Sequence, residues 1–259
     1  MEKDDQQGIQ SIEVGARLLE ALAQSRTSMM LRDLAAAADM PPAKAHRYLV
    51  SFGRMGLVEQ HADTGRYDLG AFALHLGLSA LARMEPLELA APMMQSLGDE
   101  IGQTVALAVW GTHGATIVRW CGSDAPVTAS LRVGSVMPLT RSATGGVFLA
   151  FLPEQMTARF LKKELADNVR LGLKPADKDA VHAWTEQSRR NGITRTQEFI
   201  PGISGVAAPV FDYNGTLTLA LVALGYSAAF DLSLQGPIVT AVKNRARQVS
   251  ERLGHRAKE

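Results

Sequence analysis

Lys44, Arg47, Ser51 and Arg54 fall three or four residues apart, a spacing that places them on one face of a helix. Two kinds of cation and a hydroxyl in such a stripe can hold phosphate oxygens and read base edges. The same stripe on an isolated helix is an ordinary solvated face, so the surrounding elements decide between the two. His46 lies to one side of it, placed either for an edge contact or for packing. A second set, Ala143-Thr144-Gly145-Gly146, opens an apolar run. Where a helix begins, its free amides and positive dipole end attract an anion such as a carboxylate; the alternative is a purely structural turn. Enzyme chemistry is poorly supplied. Cys121 is the single cysteine, and His113, His182 and His255 have no metal-ligand spacing. Thr144-Gly145-Gly146 lacks the Gly-Lys-Ser/Thr ending of a phosphate loop, and no Gly-x-Ser-x-Gly elbow occurs. The chain reads as a non-enzyme that needs no cofactor and no metal.

The elements around the first stripe give it a purpose. Leu31, Leu34, Ala35 and Ala38 share one helix face. Asp39 to Pro42 interrupts that helix, with proline suited to the first turn of the next. In the next helix Ala45, Tyr48, Leu49 and Phe52 lie opposite the charged stripe, and Gly56 ends it. Leu57 to Gln60 and Arg66 to Leu69 read as short strands around the turn Asp63-Thr64-Gly65. Helix, turn, helix and a two-stranded wing make a winged helix-turn-helix, which places its second helix in a DNA groove. Arg66 and Tyr67 in the wing are then candidates for the flanking minor groove or phosphates, with wing core as the other reading of Tyr67.

Along the chain, Ser11 to Ala23 predicts a first helix, after a polar tail over Met1 to Gly8. Ala71 to Met84 predicts a linking helix, ended by Glu85-Pro86. Pro86 to about Ile101 is a further helix. Thr104 to Trp110 and Ala115 to Cys121 form a hairpin, and Val127 to Val133 a further strand. Gly145 to Leu152, Glu154 to Leu165 and Ala176 to Asn191 read as helices. Val206 to Phe211 and Thr216 to Leu224 are strands around an Asn-Gly turn, and Leu232 to Leu253 closes as a helix. The expected fold is therefore α+β. A winged helix-turn-helix domain spans 1–70, a linker helix 71–85, and an α+β domain with a largely antiparallel sheet 86–259.

Bulk properties set limits on this reading. The 259 residues suffice for two modest domains, and the net charge is +1. Met1 to Leu78 carries eight basic against ten acidic side chains, so any DNA affinity rests on a local stripe and not on a basic average. The chain has no apolar run fit to span a membrane, an acidic N-terminus unlike a signal peptide, and no possible internal disulfide. These features place it in the cytoplasm.

From about Ser11 to about Gly254 the chain resembles the IclR-type family of bacterial transcriptional regulators. The resemblance is carried by Gln10-Ser11-Ile12, by Ala45-His46-Arg47-Tyr48-Leu49, and by Gly65-Arg66-Tyr67-Asp68-Leu69-Gly70. In the second part it rests on Gly134 to Leu139, Ser142 to Ala150 and Ile203 to Val210. It implies a homodimer or homotetramer, a palindromic double-stranded DNA operator, and a small organic effector bound by the second domain, which makes 86–259 an effector-binding domain. Matching to acid-binding members places Arg195, Gly205, Val222 and Leu224 around the effector, beside Ala143 to Gly146. Val222 and Leu224 are apolar where those members carry polar residues, which points to an acid with an apolar, aromatic body; core packing of the strand explains the same two residues. Two departures stand out. Ala43-Lys44 replaces a common Ser-Thr pair, and Gly146 stands where a lysine is usual. The competing reading, a small-molecule enzyme whose first domain mediates protein contacts, lacks catalytic residues.

Overall fold

The computed structural model describes residues 8–25, 27–82, 85–122, 131–172 and 177–256. It divides into two compact units, Met1–Met84 and Glu85–Glu259. In the first unit, α1 (Gln10–Gln24), α2 (Leu31–Ala37) and α3 (Pro42–Arg54) precede strands β1 (Val58–Gln60) and β2 (Tyr67–Leu69) and helix α4 (Ala71–Ala82). The apolar faces of the three helices bury Leu18, Leu22, Leu34, Ala35, Ala45 and Leu49 together with Val58 and Tyr67. Asp39 adopts a left-handed conformation (φ 51°) between α2 and α3, a conformation that aspartate tolerates better than most residues. Pro42 at the first turn of α3 then forecloses continuation of α2. The strands pair antiparallel, Val58 opposite Leu69, and Met29 bridges to Tyr67 to extend the wing.

The second unit is built on a five-stranded antiparallel sheet ordered β4-β3-β7-β6-β5. Its strands are β3 (Thr104–Gly111), β4 (Gly114–Cys121), β5 (Thr194–Ile200), β6 (Ile203–Phe211) and β7 (Leu217–Tyr226). Helices α5 (Pro86–Ile101) and α9 (Pro237–Arg252) pack on one face. On the other face lies α6 (Ala143–Phe151), flanked by α7 (Glu154–Arg170) and α8 (Lys178–Asn191). Coverage on both faces explains why β6 and β7 are buried at nearly every position and read as continuous apolar runs.

β5 was not expected from the sequence. Thr-Arg-Thr-Gln-Glu-Phe-Ile lacks an apolar alternation because two of its buried side-chain positions are threonines, and as an edge strand it pairs only to β6. Most of the strand expected over Val127 to Val133 lies outside the described residues, and 131–133 are not strand. Pairing in that region falls instead on Val136, which bridges to Thr116.

Candidate nucleic-acid interface and effector site

In the first unit, packing beneath α3 fixes its outward face. Ala45 and Leu49 are buried, and Tyr48 and Phe52 stack at 6.4 Å over α1. Gly15 makes the approach possible, since a Cβ there would sit 2.9 Å from Tyr48 and 3.0 Å from Phe52. Opposite, Lys44, Arg47, Ser51 and Arg54 are all exposed. Among the described residues no carboxylate pairs with the three cations. Ser51 donates to the Arg47 carbonyl at 3.2 Å, which turns its hydroxyl proton back onto the helix. The N-terminus of α3 has no side-chain cap; Pro42 carries no N–H and the Lys44 amide donates to the Pro41 carbonyl at 3.0 Å, which leaves the Ala43 amide as the first-turn donor without an intrahelical partner.

The wing differs from its expected form. Tyr67 is only 6% exposed and belongs to the hydrophobic core, so the wing-core reading replaces the groove contact. Its hydroxyl lies 3.5 Å from His46 Nδ1. His46 thus braces the recognition helix against the wing while its ring remains exposed. Arg66 is exposed, and its Nη1 donates to the Ser28 carbonyl at 2.7 Å, so one arm of its fork anchors the wing base.

In the second unit, α6 is buried from Ala143 to Ala150. The Glu164 carboxylate holds the loop that feeds it, accepting from the amides of Leu139 (2.6 Å) and Thr140 (2.9 Å) and from the Thr140 hydroxyl (2.6 Å). Ser142 caps the helix: its Oγ accepts from the Gly145 amide at 2.9 Å, and its carbonyl accepts from the Gly146 amide at 2.9 Å. Those two amides are therefore engaged in capping and do not await an anion, which corrects the expectation for Gly145 and Gly146. Both glycines serve close approach instead. A Cβ on Gly145 would meet the Pro138 carbonyl oxygen at 2.2 Å, and one on Gly146 would meet Trp184 Cη2 at 2.4 Å and Thr194 Cγ2 at 2.6 Å. Trp184 takes the space beside Gly146, and its indole N–H donates to the Arg195 carbonyl at 3.3 Å.

Pairing across the sheet decides which expected residues meet. Thr104, Leu224, Gly205 and Thr196 form one cross-strand row, and Ala106, Val222, Ala207 and Thr194 the next. Val222 and Leu224 face α6 in one core cluster with Ala143. Arg195 pairs with Val206, not Gly205, so its side chain leaves by the opposite pleat. Its guanidinium donates to the Leu232 carbonyl. The expectation that Arg195 joins Val222 and Leu224 fails for this reason.

What does join them is a set of hydroxyls. Thr104, Thr194 and Thr196 stand on the rows that face α6, and Thr144 stands on α6. All four Oγ1 atoms are buried and have no hydrogen-bond partner among the described residues. Buried hydroxyls are normally satisfied, so this layer is chemically unfinished. Thr194-x-Thr196, with threonines two apart in a strand, was the available signal, and it went unread because β5 itself was not expected. Among the described residues, no cluster of His, Cys, Asp and Glu could hold a metal ion, and no helix is long and apolar enough to cross a membrane.

Known proteins carry the same two-part plan. Residues 11–62 match the IclR helix-turn-helix domain, and residues 78–251 match the bacterial transcriptional regulator IclR C-terminal domain. The chain is 27% identical to the transcriptional repressor IclR of Escherichia coli K12, over 97% of this chain and 88% of that one. It is 29% identical to the glycerol operon regulatory protein of Streptomyces coelicolor, over 95% and 97%. The crystal structure of Pseudomonas aeruginosa HmgR superposes with a TM-score of 0.88 at 37% identity, covering 96% of this chain and 100% of that one. With both domains matched in order, the chain belongs to the IclR family of bacterial transcriptional regulators and is a DNA-binding regulator, not an enzyme.

Proposed function

We propose that this regulator reads its operator with the outer face of α3. Lys44, Arg47, Ser51 and Arg54 enter the major groove, with His46 and Arg66 at its edges, and a small acid with an apolar, aromatic body controls that binding from the layer between α6 and the sheet. The observation that carries the effector reading is the four unpartnered hydroxyls of Thr104, Thr144, Thr194 and Thr196 around the apolar pair Val222 and Leu224. Hydroxyls supply a few oriented hydrogen bonds to carboxylate oxygens, and the aliphatic walls accept the body, the usual make-up of a small-molecule site. Unlike the acid-binding relatives, this chain offers no polar side chain at 222 and 224, which disfavours short hydroxy and oxo acids. The protein works in the cytoplasm as a dimer or tetramer. Phe72 and Leu76 lie on one face of α4 and Leu74 and Leu78 on the opposite one, all exposed, so the helix offers apolar surface on two sides for self-association. Effector and operator are then linked by a coupling free energy.

Mobility-shift titration of the DNA upstream of its own gene, with and without a panel of aromatic and short aliphatic acids, tests both parts. Arg47→Ala weakens binding by about 5- to 150-fold, equivalent to about 1–3 kcal/mol, and lessens the salt dependence. Aromatic acids shift both the operator affinity and the melting temperature. Unchanged DNA affinity in Arg47→Ala refutes the groove assignment, and a response confined to short hydroxy or oxo acids refutes the effector class.

A further inference from the structure

A cavity lies at the C-terminal end of α6. Thr157, Ala158, Leu161, Lys162 and Leu165 of α7 share one helix face. Lys178, Val181, His182, Thr185 and Arg189 of α8 share another. The two faces do not close on each other. Between them, floored by Leu149 and Leu152, is a cavity of about 780 Å³, within the range of ligand-binding clefts. Its walls are aliphatic, and no Phe, Tyr or Trp lines it. Leu161, Leu165 and Val181 remain half-buried there, facing a gap that no side chain of the described residues fills.

The rim is charged with one sign in excess. Lys162, Lys178 and Arg189 stand at the mouth with His182, against a single carboxylate, Glu154. Arg189 is paired with Glu186 and also donates to the Ala150 carbonyl. Lys162 and Lys178 have no ion-pair partner among the described residues. The hydroxyls of the walls are already committed, since Thr157 donates to the Glu154 carbonyl and Thr185 to the His182 carbonyl. Recognition of an occupant's polar end therefore falls to the two lysines, with the His182 ring beside them.

We propose that this cavity binds a medium-chain aliphatic carboxylate, its chain between α7 and α8 and its head group at Lys162 and Lys178. Aliphatic walls without an aromatic ring fit a flexible chain better than a flat one, and the cationic rim selects an anion. The site is separate from the sheet-facing layer. It uses the C-terminal turn of α6, roughly 9 Å along the helix from Ala143, and none of Thr104, Thr144, Thr194, Thr196, Val222 or Leu224 lines it.

The test is calorimetric titration of the full-length protein with decanoate below its micellar concentration, beside decanol and decylamine. Decanoate binds once per chain, more tightly than decanol, and decylamine does not bind. Lys162→Glu with Lys178→Glu, and separately Ala158→Trp, each weaken decanoate at least tenfold. These positions are exposed, so folding survives, and unchanged melting curves verify that. Val222→Thr leaves decanoate binding unaltered. Absence of binding, equal binding of the amine, or indifference to Ala158→Trp overturns the assignment. Loss of binding in Val222→Thr overturns it by placing the acid in the sheet layer, and self-association abolished by Ala158→Trp without decanoate binding identifies the cleft as a protein contact instead.

Discussion

Gly146→Ala inverts the ordinary expectation for a helical glycine. In a helix interior the exchange gains about 1 kcal/mol. Here the new Cβ lies 2.4 Å from Trp184 Cη2 and 2.6 Å from Thr194 Cγ2. The indole is held by its hydrogen bond to Arg195, and Thr194 by the sheet, so neither neighbour yields freely. Overpacking of this kind costs about 1–3 kcal/mol, and tilting the indole away from the Arg195 carbonyl costs about 1 kcal/mol more. Net of the helical gain, the variant is less stable by about 1–3 kcal/mol, a fall in melting temperature of about 2–12 °C for a unit of this size. Scanning calorimetry of the full chain measures it. Trp184→Leu in the same background recovers part of the loss, with a coupling of about 1–3 kcal/mol in the double-mutant cycle. Gly145→Ala behaves differently. Its Cβ strikes the Pro138 carbonyl oxygen and Leu139 Cα, which are backbone, and Trp184→Leu does not rescue it. A melting temperature for Gly146→Ala at or above the parent's, or a cycle without coupling, refutes the close approach of Trp184 to α6.

Tyr67→Ala removes a ring packed with Leu18, Leu22 and Val58 and costs about 3–5 kcal/mol, which unfolds the DNA-reading unit as seen by loss of its helical circular dichroism. Tyr67→Phe gives up only the 3.5 Å contact with His46 and shifts stability by less than about 1 kcal/mol, so its operator affinity stays near the parent's. Asp231 titrates below its ordinary value of 3.8 because the Ser233 amide and then the Ser233 hydroxyl donate to its carboxylate. A carboxyl group lowered in the fold stabilises above its unfolded value, and that contribution is lost as pH falls through the folded one. Carbon-detected titration therefore finds its midpoint below 3.8, and Ser233→Ala raises it without restoring 3.8, since the backbone donor persists. A midpoint at or above 3.8 in the parent refutes the turn geometry.

The helix-turn-helix was legible because its signals are local. Leu34 and Ala35 against Lys44 and Arg47 write two faces at helical spacing, and Pro42 and Gly65 mark the breaks. The hairpins were legible for the same reason, since Gly111 to Gly114 and Asn214-Gly215 turn strands that pair with their neighbours. β5 was not. Its inward positions are the threonines 194 and 196, so its alternation is not apolar, and only pairing with β6 makes it a strand. Arg195 was misplaced as a consequence. Without β5 there is no register, and one residue of register decides which face a side chain takes.

The layer between α6 and the sheet shows why matching positions one at a time reads specificity poorly. Gly205 and Leu224 are direct cross-strand partners, and a Cβ on Gly205 would lie 2.7 Å from Leu224 Cδ2. The absent side chain at 205 is thus the room that the leucine occupies. Gly146 and Trp184 repeat the exchange at the edge of the layer. At both places a large apolar group sits where a small residue leaves space, so neither member has a meaning without the other. Replacing Leu224 alone by a polar residue does not recreate a relative's acid site. It opens a void beside Gly205 and adds another buried hydroxyl to a layer that already holds four without partners. Shape in this layer is set by pairs across the fold, while its hydrogen bonding is set by threonines on three separate elements. The residues proposed to choose the effector are therefore readable only once the sheet order and the position of α6 are known.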